Sequence, residues 1–340
     1  MKKITLKDIA SEFNVSVSTV SKAVHDSHEI SVALKLKIQQ YAKEKNYKPN
    51  KLALNLLGRS TRTIGVVVPN ILNYFFVQVL YGIEKIANEN GYNIISCISN
   101  ESFEKESKTL EFLDSGTVDG LIISLAEETQ IQEKITSLEN IAQNQIPMVL
   151  FDRVSDLIDC DKVIVDDFEA GYKTTKYLID IGCSTIGFVS PIGQSSVGKL
   201  RLAGYKKALS DYGLDYDEKL VVNFTDKDDL DLLMSFLLNY RPIQGIMGLD
   251  EITAIKILHI VKSRGYTVPG DISIIGFTNG QLSKYVSPAL TTVSQHGQYI
   301  GECAARILIR RMDKSMETLP YETKVVKTSL LVRDSTRKLD

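Results

Sequence analysis

The chain has 340 residues, of which 44% are hydrophobic and 24% are charged. This composition excludes an intrinsically disordered protein, and the chain is too long to fold around a single hydrophobic core of ordinary size. The formal net charge of −2 hides an asymmetry, since residues 1–60 carry eleven Lys/Arg against five Asp/Glu and the other 280 carry 29 against 37. A basic head joined to an acidic body is typical of a nucleic-acid-binding segment attached to a separate globular part.

Membrane proteins and metalloproteins are also disfavoured by the sequence. No apolar run approaches the roughly 18 residues that span a bilayer, and the first residues lead into a polar segment, so we expect a cytoplasmic protein without a membrane partner. The 4 cysteines and 4 histidines are widely scattered. Because their spacing matches no metal motif, we expect neither a metal site nor a cofactor.

The basic head predicts three short helices, over residues 6–13, 17–24 and 31–47. Thr5 and Asp8 resemble a capping box at the first helix, and Ser16 can cap the second. Two short helices joined by a tight turn and buried by a third form a helix-turn-helix, whose second helix fits the major groove of DNA. The alternative is that the polar side of the second helix is merely a solvated face.

From residue 63 onward, short β-branched runs alternate with amphipathic segments of helical length. This alternation predicts an α/β fold with parallel sheets covered on both faces. The series is too long for one comfortable sheet, so we predict two doubly wound lobes. Ligands of such folds bind beyond the carboxyl ends of the strands, here in the cleft between the lobes.

The residues of the head resemble the LacI/GalR family of bacterial repressors almost position by position, and the resemblance extends along the whole chain. The matching stretches are Thr5-Leu6-Lys7-Asp8-Ile9-Ala10, Val15-Ser16-Val17-Ser18-Thr19-Val20-Ser21-Lys22 and Tyr47-Lys48-Pro49-Asn50. By this resemblance the DNA-contacting residues are the base readers Val17, Ser18 and Lys22, the phosphate contacts Thr5, Ser16, Thr19 and Ser21, and Asn50. Lys22 replaces the usual arginine, which weakens bidentate reading of a guanine.

The resemblance also implies that residues 50–61 form a hinge helix and linker. In the family this segment folds on DNA, pairs with its dimer mate and wedges a leucine into the minor groove, a position that Leu56 matches. Ala53 matches the small residue at which paired hinges meet, while Leu54 replaces a usual arginine. On residue pattern alone, a short helix docked on the body is equally compatible with this leucine-rich run.

For the body, the resemblance implies a periplasmic-binding-protein-like fold whose chain crosses between the lobes three times. The expected domains are a head at 1–49, the hinge at 50–61, a near lobe at 62–161 with 293–324, and a far lobe at 162–292 with 325–340. Val79, Ile83 and Ile86 would form a dimer face, although core packing explains their helical spacing equally well. We expect a homodimer, since the final residues lack a leucine heptad.

Candidate ligand contacts lie at the ends of the predicted strands. Asp152 and Arg153 follow a strand, where a carboxylate and a guanidinium can grip a polyol from two directions. By resemblance Asp152 matches an effector-contacting aspartate, whereas Arg153 can instead pair with its neighbour. The remaining polar and aromatic candidates are Asn73, Phe75, Phe76, Asp250, Thr278 and Asn279.

A further candidate is the stretch over residues 193–201. It has the frame of a phosphate-binding P-loop, but Leu200 stands where that loop needs Ser or Thr to hold Mg²⁺. By resemblance it is the effector loop of the family, with Ser195 and Ser196 near the ligand. Arg201 would then point into the cleft as a bidentate donor.

Catalysis is not expected, since adjacent carboxylates at 166 and 167 would point to opposite sides of a strand end. We predict a sequence-specific DNA-binding transcription regulator, a repressor that leaves its operator when a saccharide closes the cleft. The alternatives are a corepressor-type regulator that binds a purine or another non-sugar metabolite, and a sugar-sensing protein whose head does not bind DNA.

Overall fold

The computed structural model describes residues 4–24, 26–45, 47, 60–278, 280–313 and 319–339. The chain divides into two compact units, residues 1–61 and residues 62–340. All but the last two residues of the predicted hinge lie outside the described residues. The same holds for the candidate contacts Asn50, Ala53, Leu56 and Asn279.

The first unit contains, over its described residues, the three helices that the apolar spacing predicts: α1 (Leu6–Glu12), α2 (Val17–Val24) and α3 (Val32–Glu44). The capping box at α1 is confirmed, because the Thr5 N–H donates to the Asp8 carboxylate at 2.8 Å and the Asp8 N–H donates to Thr5 Oγ1 at 3.3 Å. Ser16 Oγ accepts from the Thr19 N–H at 3.0 Å and so caps α2. The buried core of this unit is formed by Ile9, Ala10, Val20, Ala23, Ile38 and Ala42.

The second unit alternates strands with helices, as the sequence predicts. Its strands are β1 (Thr63–Val68), β2 (Asn93–Ile98), β3 (Gly120–Ile123), β4 (Met148–Phe151), β5 (Asp161–Val165), β6 (Ile186–Ser190), β7 (Val221–Asn223), β8 (Gly245–Gly248), β9 (Ser273–Phe277), β10 (Thr291–Ser294), β11 (Thr323–Val326) and β12 (Ser329–Leu331). Its helices are α4 (Tyr74–Glu89), α5 (Phe103–Asp114), α6 (Glu127–Gln132), α7 (Thr136–Gln143), α8 (Asp167–Asp180), α9 (Ser196–Asp211), α10 (Leu230–Tyr240), α11 (Glu251–Ser263), α12 (Leu282–Tyr285) and α13 (Gly297–Arg311), with a short 3-10 helix at Glu218–Leu220.

Two six-stranded sheets form the two lobes. The sheet of the near lobe has the order β11-β5-β4-β3-β1-β2 and is entirely parallel. The sheet of the far lobe has the order β12-β10-β9-β8-β6-β7, and only its edge strand β12 runs antiparallel. Each sheet carries a buried apolar cluster on both faces, as doubly wound sheets require.

The predicted lobe boundaries need a correction of a few residues. The expected crossings at 161/162, 292/293 and 324/325 fall inside β5, β10 and β11, and a strand is not divided between two sheets. Each crossing therefore lies after its strand, before α8, before α13 and before β12. The chain still passes three times between the lobes among the described residues.

The three residues predicted to form a dimer face on α4 do not form one. Val79, Ile83 and Ile86 are fully buried in the core of the near lobe, against the sheet and α13. Of the two explanations for their spacing, core packing is the one that holds. The outer side of α4 instead exposes Val77 and Tyr81.

Glycines allow two helix pairs to approach closely. A Cβ at Gly82 of α4 would lie 2.1 Å from the Gln298 carbonyl oxygen of α13. A Cβ at Gly204 of α9 would lie 2.1 Å from the Phe168 carbonyl oxygen of α8. The second contact matters for the cleft, because α8 and α9 begin at its edge.

Candidate nucleic-acid interface and interlobe cleft

The predicted DNA contacts lie on α2 and at the capped ends of the first two helices. Val17, Ser18 and Lys22 are exposed, and their spacing places them on one side of α2, opposite the buried Val20 and Ala23. Thr5 and Ser16 are exposed but already hold helix-capping hydrogen bonds. Their roles in DNA contact stay predictions.

The one cation among the predicted base readers has a partner within the head. The Lys22 ammonium donates to the Glu29 carboxylate, and this contact lowers the pKa of that carboxyl group. Both side chains are about half exposed, so water screens the pair. Lys22 must exchange Glu29 for a base edge or phosphate when it reads DNA.

A cavity of about 620 Å³ lies between the two lobes, beyond the carboxyl ends of their parallel strands. Both lobes line it, the near lobe with Asn73, Phe76 and Arg153, and the far lobe with Asp250. These four are predicted contacts that the structure places on the wall. The volume is typical of a site for a small molecule.

Arg153 lies on the near-lobe wall of the cavity, and its buried neighbour Asp152 is not among the wall residues. Arg153 Nη1 donates to Glu101 Oε2 at 2.5 Å, so its ion pair is with Glu101 and not with its neighbour. Asp152 takes a left-handed backbone conformation with φ of 56°. Within the described residues, Asp152 Oδ1 and Arg153 Nε are buried without a hydrogen-bond partner. An acceptor and a donor therefore stand unused beside the cavity.

The carboxyl group of Asp152 has an unusually high pKa. Burial raises its pKa to about 7, and the carboxylate of Asp167 acts in the same direction, while Arg153 and Arg201 oppose the shift. Burial also raises the pKa of Asp167, even though Arg201 binds it. The two acids come from opposite lobes, since Asp152 follows β4 and Asp167 opens α8.

Arg201 is buried and engaged by the protein. Its Nε donates to Asp167 Oδ1 at 2.8 Å, Nη1 donates to the Leu249 carbonyl at 3.0 Å, and the guanidinium lies 4.2 Å from the ring centre of Phe277. Only 2% of its surface is exposed, and it is not on the cavity wall. The expectation of a ligand-facing Arg201 stays a prediction, and it requires the pair with Asp167 to open.

The predicted effector loop touches the opposite lobe. Ser195 caps α9 by accepting from the Gly198 N–H at 3.1 Å. Ser196 is held by Gln130 of α6, whose Nε2 donates to Ser196 Oγ at 2.9 Å and whose Oε1 accepts from the Ser196 N–H at 3.1 Å. Gln130 Nε2 also donates to the Val154 carbonyl at 2.9 Å. One glutamine thus joins the near lobe to the start of α9.

Other predicted contacts serve mainly to shape the backbone. Asn73 caps α4 and Asp250 caps α11, accepting from the Thr253 N–H at 2.6 Å. Thr278 is buried, with φ of 71°, and donates to Gln295 at 2.9 Å. Phe75 and Phe76 both belong to the buried core of the near lobe, and of the two Phe76 also lines the cavity.

Sequence reasoning missed most of the acidic residues on the cavity wall, among them Glu101 and Glu127. Glu101 accepts from Arg153 and from the Glu127 N–H at 2.9 Å. Burial raises the pKa of Glu127, while backbone hydrogen bonds from Ser195 and Gln194 act against the shift. Glu101 follows β2 and Glu127 follows β3. Their position just after a strand is the sequence feature from which they could have been predicted as cavity residues.

Within the described ranges, no group of three or more His, Cys, Asp or Glu side chains has the arrangement that would hold a metal ion. Across the same residues, no helix combines the length and apolar character that crossing a membrane requires.

Comparison with known proteins agrees with this architecture. Residues 5–50 match the family model "Bacterial regulatory proteins, lacI family", and residues 175–336 match "Periplasmic binding protein-like domain". The HTH-type transcriptional repressor PurR of Vibrio campbellii is 30% identical over 99% of this chain and 99% of its own length. The fold class predicted from sequence is thereby confirmed.

Solved structures extend the comparison. A LacI family transcriptional regulator from Enterococcus faecium with bound ribose is 27% identical, with a TM-score of 0.71 over 82% of this chain and 100% of its own. The lac repressor dimer bound to operator has the same fold, with a TM-score of 0.82 over 99% of this chain and 100% of its own at 22% identity. The chain therefore belongs to the lacI family of bacterial regulatory proteins, which are DNA-binding regulators of transcription.

Proposed function

We propose that this protein is a homodimeric, cytoplasmic repressor that binds a roughly palindromic operator and is controlled by a saccharide in the interlobe cleft, without catalysis. The observation that carries the proposal is one chain combining a capped helix-turn-helix with an interlobe cavity of about 620 Å³. The head supplies DNA contact, and the cavity supplies a place for a regulating ligand.

The unused polar atoms beside the cavity support a hydroxyl-rich ligand. Asp152 Oδ1 and Glu127 Oε1 are acceptors, and Arg153 Nε is a donor, each buried without a partner among the described residues. A sugar hydroxyl both donates and accepts, so one ring can satisfy all three atoms. Phe76, on the same wall, offers an apolar surface for a ring face. The ribose-bound relative is consistent with this class.

Control follows from linkage between the two sites. A ligand that favours one arrangement of the lobes changes DNA affinity by the same factor by which DNA changes ligand affinity. We expect the hinge over residues 50–61 to carry this coupling, with Leu56 as the minor-groove wedge. An inducer lowers operator affinity, and a corepressor raises it.

The dimer is proposed to use the outer side of α4 with the neighbouring part of α13. Val77, Tyr81 and Tyr299 are exposed large side chains that line one surface groove of about 580 Å³. Replacing Tyr81 by glutamate is expected to shift the protein toward monomer in sedimentation. A dimer as stable as the parent would move the proposed interface elsewhere.

The experiment is a DNA selection with the full-length protein, followed by binding of the selected duplex at several salt concentrations. We expect a palindromic site and an affinity that falls steeply with salt, because Lys/Arg contacts release counterions. Thermal-shift screening of sugars then identifies the ligand, and its effect on operator affinity gives the sign of control. Absence of any selected sequence would refute the DNA-binding proposal.

A further inference from the structure

The inner wall of the interlobe cleft carries far more acid than base. Carboxylates on or just behind the wall, none of them exposed, are Glu101, Glu127, Asp152, Asp167, Asp250 and Glu251. Against these six stand two buried guanidinium groups, Arg153 and Arg201. The remaining charged wall residues, Glu128, Asp226, Lys227 and Lys256, are exposed and screened by water. The inner group therefore has a formal charge of −4.

Helix ends reduce this excess but do not remove it. Asp167 opens α8 and Asp250 caps α11, where the positive end of a helix dipole favours a carboxylate. Each helix N-terminus supplies roughly half a positive charge, so α8, α9 and α11 together offset about 1.5 charges. More than two formal negative charges remain, and part of this charge is lost to protonation near neutrality because burial raises the pKa of Asp152 to about 7. Helix capping alone is therefore an insufficient account of the acidic wall.

Both guanidinium groups already bind acceptors of the protein. Arg153 donates to Glu101, and Arg201 donates to Asp167 and to the Leu249 carbonyl. Arg153 Nε has no partner among the described residues, but a ligand carboxylate or phosphate that accepted from it would face the surrounding acidic groups. By contrast, Asp152 Oδ1 and Glu127 Oε1 are buried acceptors without partners in the described part of the chain.

We propose that the ligand of this cleft carries a protonated amine, as an amino sugar does, and that sugar acids and phosphorylated sugars are excluded. The inference rests on the proposed function, because it assumes that the cleft binds a sugar. The ammonium group neutralises part of the acidic wall and donates to Asp152 and Glu127, while hydroxyl groups meet Arg153. Charge-assisted hydrogen bonds of this kind are roughly twice as strong as neutral ones.

The charged groups around Asp152 also predict how ligand affinity depends on pH. Asp152 faces Asp167 and Arg201 from the far lobe, and Arg153 and Glu101 from its own lobe. Burial raises its pKa to about 7, so a cation that binds the ionised form must release its proton near neutrality. Affinity for an amine should therefore rise between pH 5.5 and pH 7.

The test compares matched sugars that differ only in charge. The probes are glucosamine, glucose and glucuronate, and the corresponding galactose series, measured by thermal shift and calorimetry on the full-length protein. We expect the amine of at least one series to bind about tenfold or more tightly than its neutral partner. A neutral or acidic member binding most tightly, or no binding by either amine, would overturn the proposal.

Isosteric variants test the assigned acids. Asp152→Asn and Glu127→Gln should each lower amine affinity by about tenfold and neutral-sugar affinity clearly less, because the amide oxygen still accepts from a hydroxyl group. Asp215→Asn, at an exposed position away from the cavity wall, is the control and should change neither affinity. Equal losses for amine and neutral sugar would contradict the charge assignment. Operator binding distinguishes the two proposals. If a neutral sugar releases the DNA, the proposed repressor function is retained and the proposed amine ligand is rejected.

Discussion

Gln130 and Ser196 join the two lobes through a pair of hydrogen bonds, with the glutamine Nε2 donating to the serine hydroxyl at 2.9 Å and its Oε1 accepting from the serine N–H at 3.1 Å. The side chain belongs to α6 of the near lobe, and the serine begins α9 of the far lobe. Gln130 neighbours Ile131 on the cavity wall, so we expect this contact to favour the present arrangement of the lobes around the cavity.

Truncation of this glutamine should weaken closure. Gln130→Ala removes both hydrogen bonds to Ser196, at about 1 kcal/mol each, so we expect ligand affinity to fall by up to roughly thirtyfold. Small-angle scattering of the variant should show a more open body. Gln132→Ala removes a glutamine exposed on the same helix and is the control. Identical behaviour of the two variants would mean that the interlobe contact has no energetic role.

The elevated pKa of Asp152 predicts a pH-dependent stability. Its pKa of about 7 exceeds the ordinary value, so between pH 4 and pH 7 the folded protein holds a proton that the unfolded chain has released. The contribution of this group to the free energy of unfolding therefore falls as pH rises through that window.

Asp152→Asn should remove this dependence. We expect the variant to match the parent near pH 4 and to be more stable at pH 8, by up to about 4 kcal/mol, with part of the effect shared by Asp167. Denaturant unfolding at several pH values measures it. Asp226→Asn, at an exposed position, should give parallel curves. An Asp152→Asn variant that tracks the parent across pH would show that the carboxyl group titrates normally.

In the head, the Lys22–Glu29 pair predicts a gain in DNA binding. Glu29→Gln releases the Lys22 ammonium for the nucleic acid, so we expect several-fold tighter binding and a salt dependence steeper by up to about one ion. Asp26→Asn removes the same charge from the Lys35 pair, whose atoms are 2.8 Å apart, and controls for general electrostatics. Equal gains from both variants would exclude a specific effect of Lys22.

The close approach of α8 and α9 predicts a position that does not tolerate a methyl group. Gly204→Ala would place its Cβ 2.1 Å from the Phe168 carbonyl oxygen and should cost about 2–3 kcal/mol in the free energy of unfolding. Gly187→Ala, whose Cβ would lie 3.3 Å from the flexible Leu237 side chain, should cost clearly less. Denaturant titration of both variants measures the difference. Equal costs would show that helices α8 and α9 separate easily.

Local pattern was sufficient to predict the head and most of the strands. The capping pair of Thr5 and Asp8, the cap at Ser16 and the apolar spacing of α2 all act within a few residues, and the structure has each of them. Strands β1 to β9 are visible in the sequence as β-branched runs between helical segments, whereas β10 and β11 were not predicted. Lobe boundaries were off by a few residues because sheet membership depends on distant pairing, such as Thr323 beside Lys162.

The hydrogen bonds and ion pairs around the cleft could not be predicted from local sequence pattern. The partners are far apart in the sequence. Arg201 and Asp167 are separated by 34 residues and Arg153 and Glu101 by 52. Gln130 and Ser196 are separated by 66 residues. Residue type and strand-end position predicted which segments meet, but not which charge neutralises which. Burial of Val79 shows the related limit, since helical spacing alone does not distinguish a core face from an interface.

The two edge strands β11 and β12 come last in the chain although they complete different lobes. During synthesis, the sheet edges at β5 and β10 stay open until residues 323–331 leave the ribosome, long after most of both lobes has been made. Open edges invite pairing with other chains, so the nascent body is exposed to aggregation until its final strands arrive. Because one short segment completes both sheets, the two lobes finish folding together and late.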